Sequence, residues 1–158
     1  MPGRTDNEIV IAAPPDVVWE LANDLESWPE LFTEYERVEI LERDGDRVRF
    51  RLTMHPEPDG TVWSWVSERR VDPVTRTVHA KRVETGLLLE FMHIFWEFHE
   101  ADGGGTRMRW IQQFEMRPDA PVDNEGAAEH LNRQTRTEMR HIKEAIERRA
   151  AAAADPAA

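Results

Sequence analysis

The residues best placed to do chemistry lie in one stretch, TVWSWVSERRV, residues 61–71. In an extended strand, side chains alternate between faces, so Thr61, Trp63, Trp65, Ser67, Arg69 and Val71 share one side and Val62, Ser64, Val66, Glu68 and Arg70 the other. Two indoles select the inner side, and that choice carries Ser67 and Arg69 inward with them. A guanidinium keeps its proton because its pKa exceeds about 12, so it cannot serve as a base; it can donate to a carbonyl oxygen and hold a developing oxyanion. The same parity reading brings Arg82 inward from residues 77–83. From residues 106–116 it brings Gln112, between Trp110 and Phe114. A buried arginine without partners is very costly. Arg82 therefore either pairs locally with Glu84 or faces a hydrated pocket, and Arg69 either snorkels from its strand end or does the same.

Composition removes several other chemistries. The chain has 158 residues and no cysteine, which excludes disulfides, thiol nucleophiles and cysteine-based zinc sites. Its formal net charge of -11 argues against nucleic-acid binding, which needs clustered Lys and Arg. The six histidines have no metal-ligand spacing, so no metal and no cofactor are expected. Gly103-Gly104-Gly105 joins two strand patterns and does not open a helix, so it is a hairpin turn and not a phosphate loop. With no apolar run long enough to span a membrane and no basic-plus-apolar leader, a soluble, cytoplasmic protein is expected. Six tryptophans against one tyrosine suggest an aromatic-lined interior.

The elements that must position these residues follow from periodicity. Residues 7–12 read as an opening strand. A helix starts at Ala13-Pro14-Pro15-Asp16, and a second short helical piece covers residues 27–32 with Pro29 in its first turn. From Val38 the period is two, giving strands at 38–42, 48–55, 61–71, 77–83, 88–100 and 106–116. Val48, Phe50, Leu52 and Met54 face in, as do Met92, Ile94, Trp96 and Phe98, and Met108, Trp110, Gln112 and Phe114. A long final helix, about 125–150, carries an apolar stripe of Leu131, Thr135, Met139, Ile142 and Ile146. Its Arg133, Arg136, Arg140 and Lys143 form either a solvated face or a docking strip for an acidic partner. The architecture is α+β: one domain over 1–150, a curved antiparallel sheet around a long C-terminal helix with an interior pocket, and a disordered tail at 151–158.

The segments RTDNEIVIAAP, NDLESWPELFTEY, DGTVWSWVSERR, RVETG, MRWIQQF and HLNRQTR closely resemble the small aromatase/cyclases of type II polyketide synthases, of the tetracenomycin and spore-pigment types. The likeness runs from about Arg4 to Glu147. It implies the helix-grip, START/Bet v 1-like fold. It also implies a poly-β-ketone substrate held on an acyl carrier protein beside a minimal polyketide synthase, closed by aldol reaction between its ninth and fourteenth carbons and dehydrated to a first aromatic ring. On the family's motif Arg69 is the arginine needed for cyclisation and Tyr35 matches the tyrosine of the F-x-E-Y segment; beside such an arginine, a catalytic Tyr35 is expected to donate or relay a proton. The resemblance assigns the pocket to Trp28, Phe32, Trp63, Trp65, Ser67, Arg82, Met92, Trp96, Trp110, Gln112 and Asn132. One stretch departs from the pattern: Leu-Leu-Leu-Glu-Phe-Met follows Gly86 where the relatives have a proline and one residue fewer. The alternative expectation is a START-type carrier of lipid or another apolar ligand, which would want a mostly apolar cavity.

Overall fold

In the computed structural model, which describes residues 1–154, a seven-stranded antiparallel sheet wraps one long helix. The strands are β1 (Gly3–Ile11), β2 (Tyr35–Asp44), β3 (Arg47–Met54), β4 (Ser64–Asp72), β5 (Thr77–Arg82), β6 (Leu89–Glu100) and β7 (Thr106–Met116). Their spatial order is β1-β7-β6-β5-β4-β3-β2, so the first strand closes against the last and the rest form a meander. Helix α1 (Pro15–Ala22), a single 3-10 turn (Leu25–Ser27) and α2 (Trp28–Leu31) link β1 to β2 across one end. Proline stands first in α1 (Pro15) and second in α2 (Pro29), within the first turn, where its missing N–H costs nothing.

Helix α3 (Asn124–Ala154) lies in the grip of the sheet. Met139, Ile142, Ala145 and Ile146 are buried, and they join Phe50, Leu52, Trp96, Met108 and Trp110 of the inner sheet face in one core. The inward parities expected of β3, β6 and β7 hold. The helix runs on through Ala154, so residues 151–154 continue α3 and are not a disordered tail; residues 155–158 lie outside the described residues.

Two local features bear on the pocket. The pairing of β6 with β7 shifts register between Leu89 and Phe91, a bulge that takes up one residue. Beyond it, Met92 and Trp96 keep their inward positions. At the start of β4 the outcome differs from the expected 61–71 strand. The ladder with β3 begins at Ser64, opposite Thr53, and residues 57–61 close a turn of their own through Glu57 N–H to the Thr61 carbonyl at 2.8 Å.

Candidate active site

A cavity of about 140 Å³ lies between the inner sheet face, α2 and α3. Its inner end is walled by the buried Trp28, Phe32, Trp96 and Trp110. The half-buried Glu34, Met54, Arg82, Leu131 and Gln134 mark the mouth. The aromatic wall is continuous: Phe32 stacks on Trp96 with centroids 6.3 Å apart, Trp96 meets Trp110 edge-on at 5.4 Å, and Trp28 stacks on Tyr35 at 6.1 Å. Trp28 is itself fixed by its indole N–H donating to the Ala22 carbonyl at 3.0 Å.

Arg69 does not snorkel to solvent. It is 3 % exposed, with its guanidinium carbon 5.1 Å from the Trp28 ring and 5.3 Å from the Trp96 ring. Its Nη2 donates to the side-chain oxygen of Asn23 at 2.8 Å, and among the described residues no carboxylate comes within ion-pair distance. Burial pulls its pKa down to about 9, which leaves it cationic at neutral pH. Asn23 is held in turn by donating to the Trp19 carbonyl at 2.8 Å, so the end of α1 aims the arginine.

Arg82 also faces the cavity, not Glu84. Its guanidinium carbon stands 4.0 Å over the Trp65 ring, while Glu84 pairs with Arg51 at 3.3 Å and accepts from the Val66 N–H. Burial holds the Arg82 pKa below its ordinary value, against the pull of Tyr35 and Glu34. Tyr35 lines the same space; burial, then the Glu34 charge, push its hydroxyl well above the usual phenol range, so it stays a neutral donor.

Gln112 accepts from Thr5 Oγ1 at 2.8 Å and Thr135 Oγ1 at 3.2 Å through its side-chain oxygen. With that oxygen occupied twice, its amide N–H₂ is left to donate elsewhere. Ser67, Met92, Trp65, Trp96 and Trp110 line the cavity as expected, and the indole nitrogens of Trp96 and Trp110 are buried without a partner among the described residues.

Two expected pocket residues fall outside. Trp63 is 41 % exposed and its indole donates to Glu57 at 3.0 Å; it precedes β4 and is tied to β3 only through its carbonyl, which accepts from the Met54 N–H at 2.9 Å. Asn132 accepts from the Asn7 side chain at 2.8 Å, in the seam between α3 and β1. Helical spacing gives the cavity Leu131, Thr135 and Glu138, which share a face that Asn132 does not. Arg136 joins the same seam, donating to Asn7 at 2.9 Å, and Lys143 pairs with Glu147, so the basic strip is partly spent within the protein. Asn23, Glu34 and Glu138 were not singled out by sequence reasoning. The first two lie in the NDLESWPELFTEY segment, and Glu138 interrupts the apolar stripe of α3; Glu34 and Glu138 line the cavity, and Asn23 reaches it through Arg69.

Residues 2–147 match the family described as polyketide cyclase / dehydrase and lipid transport. The chain belongs to this family. It is 54% identical over 147 residues to a Streptomyces cyaneus protein named as a candidate polyketide cyclase, covering 93% of this chain and 95% of that one. It is 28% identical over 136 residues to the granaticin polyketide synthase bifunctional cyclase/dehydratase of Streptomyces violaceoruber, covering 86% of this chain and 41% of that one. The fold matches the ZhuI aromatase/cyclase from Streptomyces sp. R1128 with a TM-score of 0.80 at 23% identity, over 99% of this chain and 98% of that one. A START superfamily protein from Mycobacterium smegmatis matches with a TM-score of 0.69 at 14% identity, covering 94% and 97%. Among the described residues no helix is long and apolar enough to cross a membrane, and no three metal-ligating side chains cluster.

Proposed function

We propose that this cyclase-family protein takes a poly-β-ketone from an acyl carrier protein of a minimal polyketide synthase, folds it, closes the first ring by intramolecular aldol addition and dehydrates it to an aromatic ring. The observation that carries the reading is the small set of polar donors placed in an otherwise largely apolar cavity wall. Arg69, Arg82, Tyr35 and Ser67 bring donors to it. A poly-β-ketone is a chain of carbonyl acceptors on a flexible backbone, and it satisfies such a wall where a lipid tail would leave each donor unpaired at a cost of about 1–3 kcal/mol.

The residues then divide the work. Arg69 donates to the ketone under attack and stabilises the oxyanion that forms, with its charge undiluted by any carboxylate. Tyr35 gives up a proton to oxygen during addition or dehydration. The tryptophans are flat walls that hold the chain near its attack geometry and exclude other closures. The cavity volume is close to the roughly 150 Å³ that takes up one benzene, so it suits one ring at a time, with the rest of the chain running out through the mouth. Closure between the ninth and fourteenth carbons is the regiochemistry we assign on the family's pattern.

Product profiling of a minimal polyketide synthase, with and without this protein, tests the reading. The wild-type protein should shift the mixture to one singly cyclised aromatic product, and Arg69→Ala should lower that product about 100-fold with the fold retained. Normal product ratios from the variant would remove Arg69 from the chemistry. No shift with the wild type at any chain length would return the protein to the carrier class.

A further inference from the structure

Three neighbours pin residues 33–35 at the cavity mouth. The Thr33 N–H donates to Glu138 of α3 at 2.9 Å, and the Thr33 hydroxyl donates to the other oxygen of the same carboxylate. The carbonyl of Glu34 accepts from the His55 N–H at 3.0 Å, and Tyr35 sits opposite Met54 in the β2–β3 ladder. Between these anchors the Glu34 side chain lines the cavity together with Tyr35, Arg82 and Glu138. Glu138 is 4 % exposed and spends both oxygens on Thr33, whereas the Glu34 carboxyl has no hydrogen-bonded partner among the described residues.

We propose that Glu34 is the acid–base residue of this pocket: it takes the methylene proton that starts ring closure and returns protons to oxygen during addition and dehydration. The proposal rests on the cyclase reading above. Elimination among the lining side chains supports it. Arg69 and Arg82 are cationic donors, Tyr35 is held neutral, Glu138 is engaged, and no histidine borders the cavity. Glu34 is the lining group left free to accept a proton. Its surroundings favour proton exchange, because burial, then the charge of Glu138 from α3, raise its pKa from 4.5 to about 7, with Arg82 of β5 pulling it back. A carboxyl balanced near neutral pH serves as either base or acid. Glu138 and Arg82 are the charged groups that act on it, and the neighbouring Tyr35 carries no charge.

The steps balance without a co-reactant. The Glu34 carboxylate removes a proton from a methylene flanked by two carbonyls, and the resulting enolate carbon forms the new C–C bond to the ketone carbon. The ketone π electrons pass to its oxygen, beside Arg69, and that alkoxide takes up the proton, directly or through Tyr35. The carboxylate next removes the remaining proton at the same carbon. The C–O bond breaks as the double bond forms, and the hydroxyl leaves as water with the proton returned by Glu34. One water is released and the carboxylate is regenerated.

The test compares wild type, Glu34→Gln and Glu34→Asp in the reconstituted synthase from about pH 6 to about pH 8.5, reading ring-directed product against spontaneous shunt product per total polyketide. The wild-type ratio should climb as the pH passes through 7, where the carboxylate forms. Glu34→Gln should lose about 100-fold and that rise together, and Glu34→Asp should keep part of both. Binding of a stable singly cyclised product, followed by tryptophan quenching, should be retained by Glu34→Gln, showing an intact pocket. A Gln variant that binds and keeps the wild-type ratio and slope overturns the role of Glu34 alone. A wild-type protein that shifts no product at any pH overturns the cyclase reading and this proposal together.

Discussion

The two arginines of the pocket sit within one ladder, with Arg82 opposite Ser67 and Arg69 opposite Ala80 in the β4–β5 pair, yet they occupy opposite electrostatic regimes. At the mouth, Arg82 is half-buried, rests on one indole and has the Glu34 carboxylate in its field. At the inner end, Arg69 is buried against two indoles and meets only the neutral oxygen of Asn23. A fold seeking stability alone would have supplied Arg69 with a carboxylate, since an uncompensated buried charge is costly. Leaving it unpaired keeps its full attraction available for an incoming carbonyl oxygen. The inner end is thus a fixed cation, and the mouth is a set of charges that can trade a proton.

Erasing that difference should have the larger effect. Asn23→Asp places a carboxylate 2.8 Å from the position of the Arg69 nitrogen and creates the pair the native site avoids. The variant trades the Asn23 N–H bond to the Trp19 carbonyl for an ion pair, so it should stay folded while its ring-directed product falls about 10-fold or more, because the guanidinium is already satisfied. Undiminished product from a folded Asn23→Asp protein would mean that the unpaired charge of Arg69 is not what the reaction uses.

A smaller effect should appear at the mouth, in stability. The pKa of Glu34 is raised in the folded protein from 4.5 to about 7, so the folded state favours the protonated form. Below about pH 4.5 the group is neutral in both folded and unfolded chains. As the pH rises through 7, the folded protein must accept a buried charge, and the stability that Glu34 contributes at low pH is lost. The melting temperature of Glu34→Gln should therefore gain on the wild type by a few °C between about pH 5 and about pH 8, as read by thermal unfolding. A gap that stays constant or narrows over that range would place the Glu34 carboxyl in water.

Alternation alone located the inner residues of β3, β6 and β7, because a ladder on both sides enforces the two-residue period along their length. The same rule placed Ser67 and Arg69 correctly within β4. Periodicity could not decide between a paired and an unpaired arginine, since that depends on Asn23, which lies 46 residues earlier in the chain and reaches the site only through the packing of α1. Glu34 was hidden for a related reason. A glutamate beside the one tyrosine reads as the polar start of a strand until α3 brings Glu138 against it. Asn132 shows the converse: its family pattern pointed to the pocket, and one step of helical rotation sends it to Asn7 instead.

The mildest test concerns the two tryptophans that share a parity on β4. Trp65 is inside the paired region, opposite Leu52, and lies under the Arg82 guanidinium at the cavity wall. Trp63 is one residue beyond the last Thr53–Ser64 pair and turns outward to Glu57. Trp65→Ala removes a wall and the support of Arg82, and should change which ring forms or which chain length is accepted. Trp63→Ala removes an exposed indole and one surface hydrogen bond, a change of the kind usually worth within about 0.5 kcal/mol. Its product profile should match the wild type within about twofold, since about 0.4 kcal/mol corresponds to that factor. A Trp63→Ala profile as altered as that of Trp65→Ala would mean that the turn at residues 57–63 folds inward over a bound chain, and that the ladder of β4 extends when the pocket is filled.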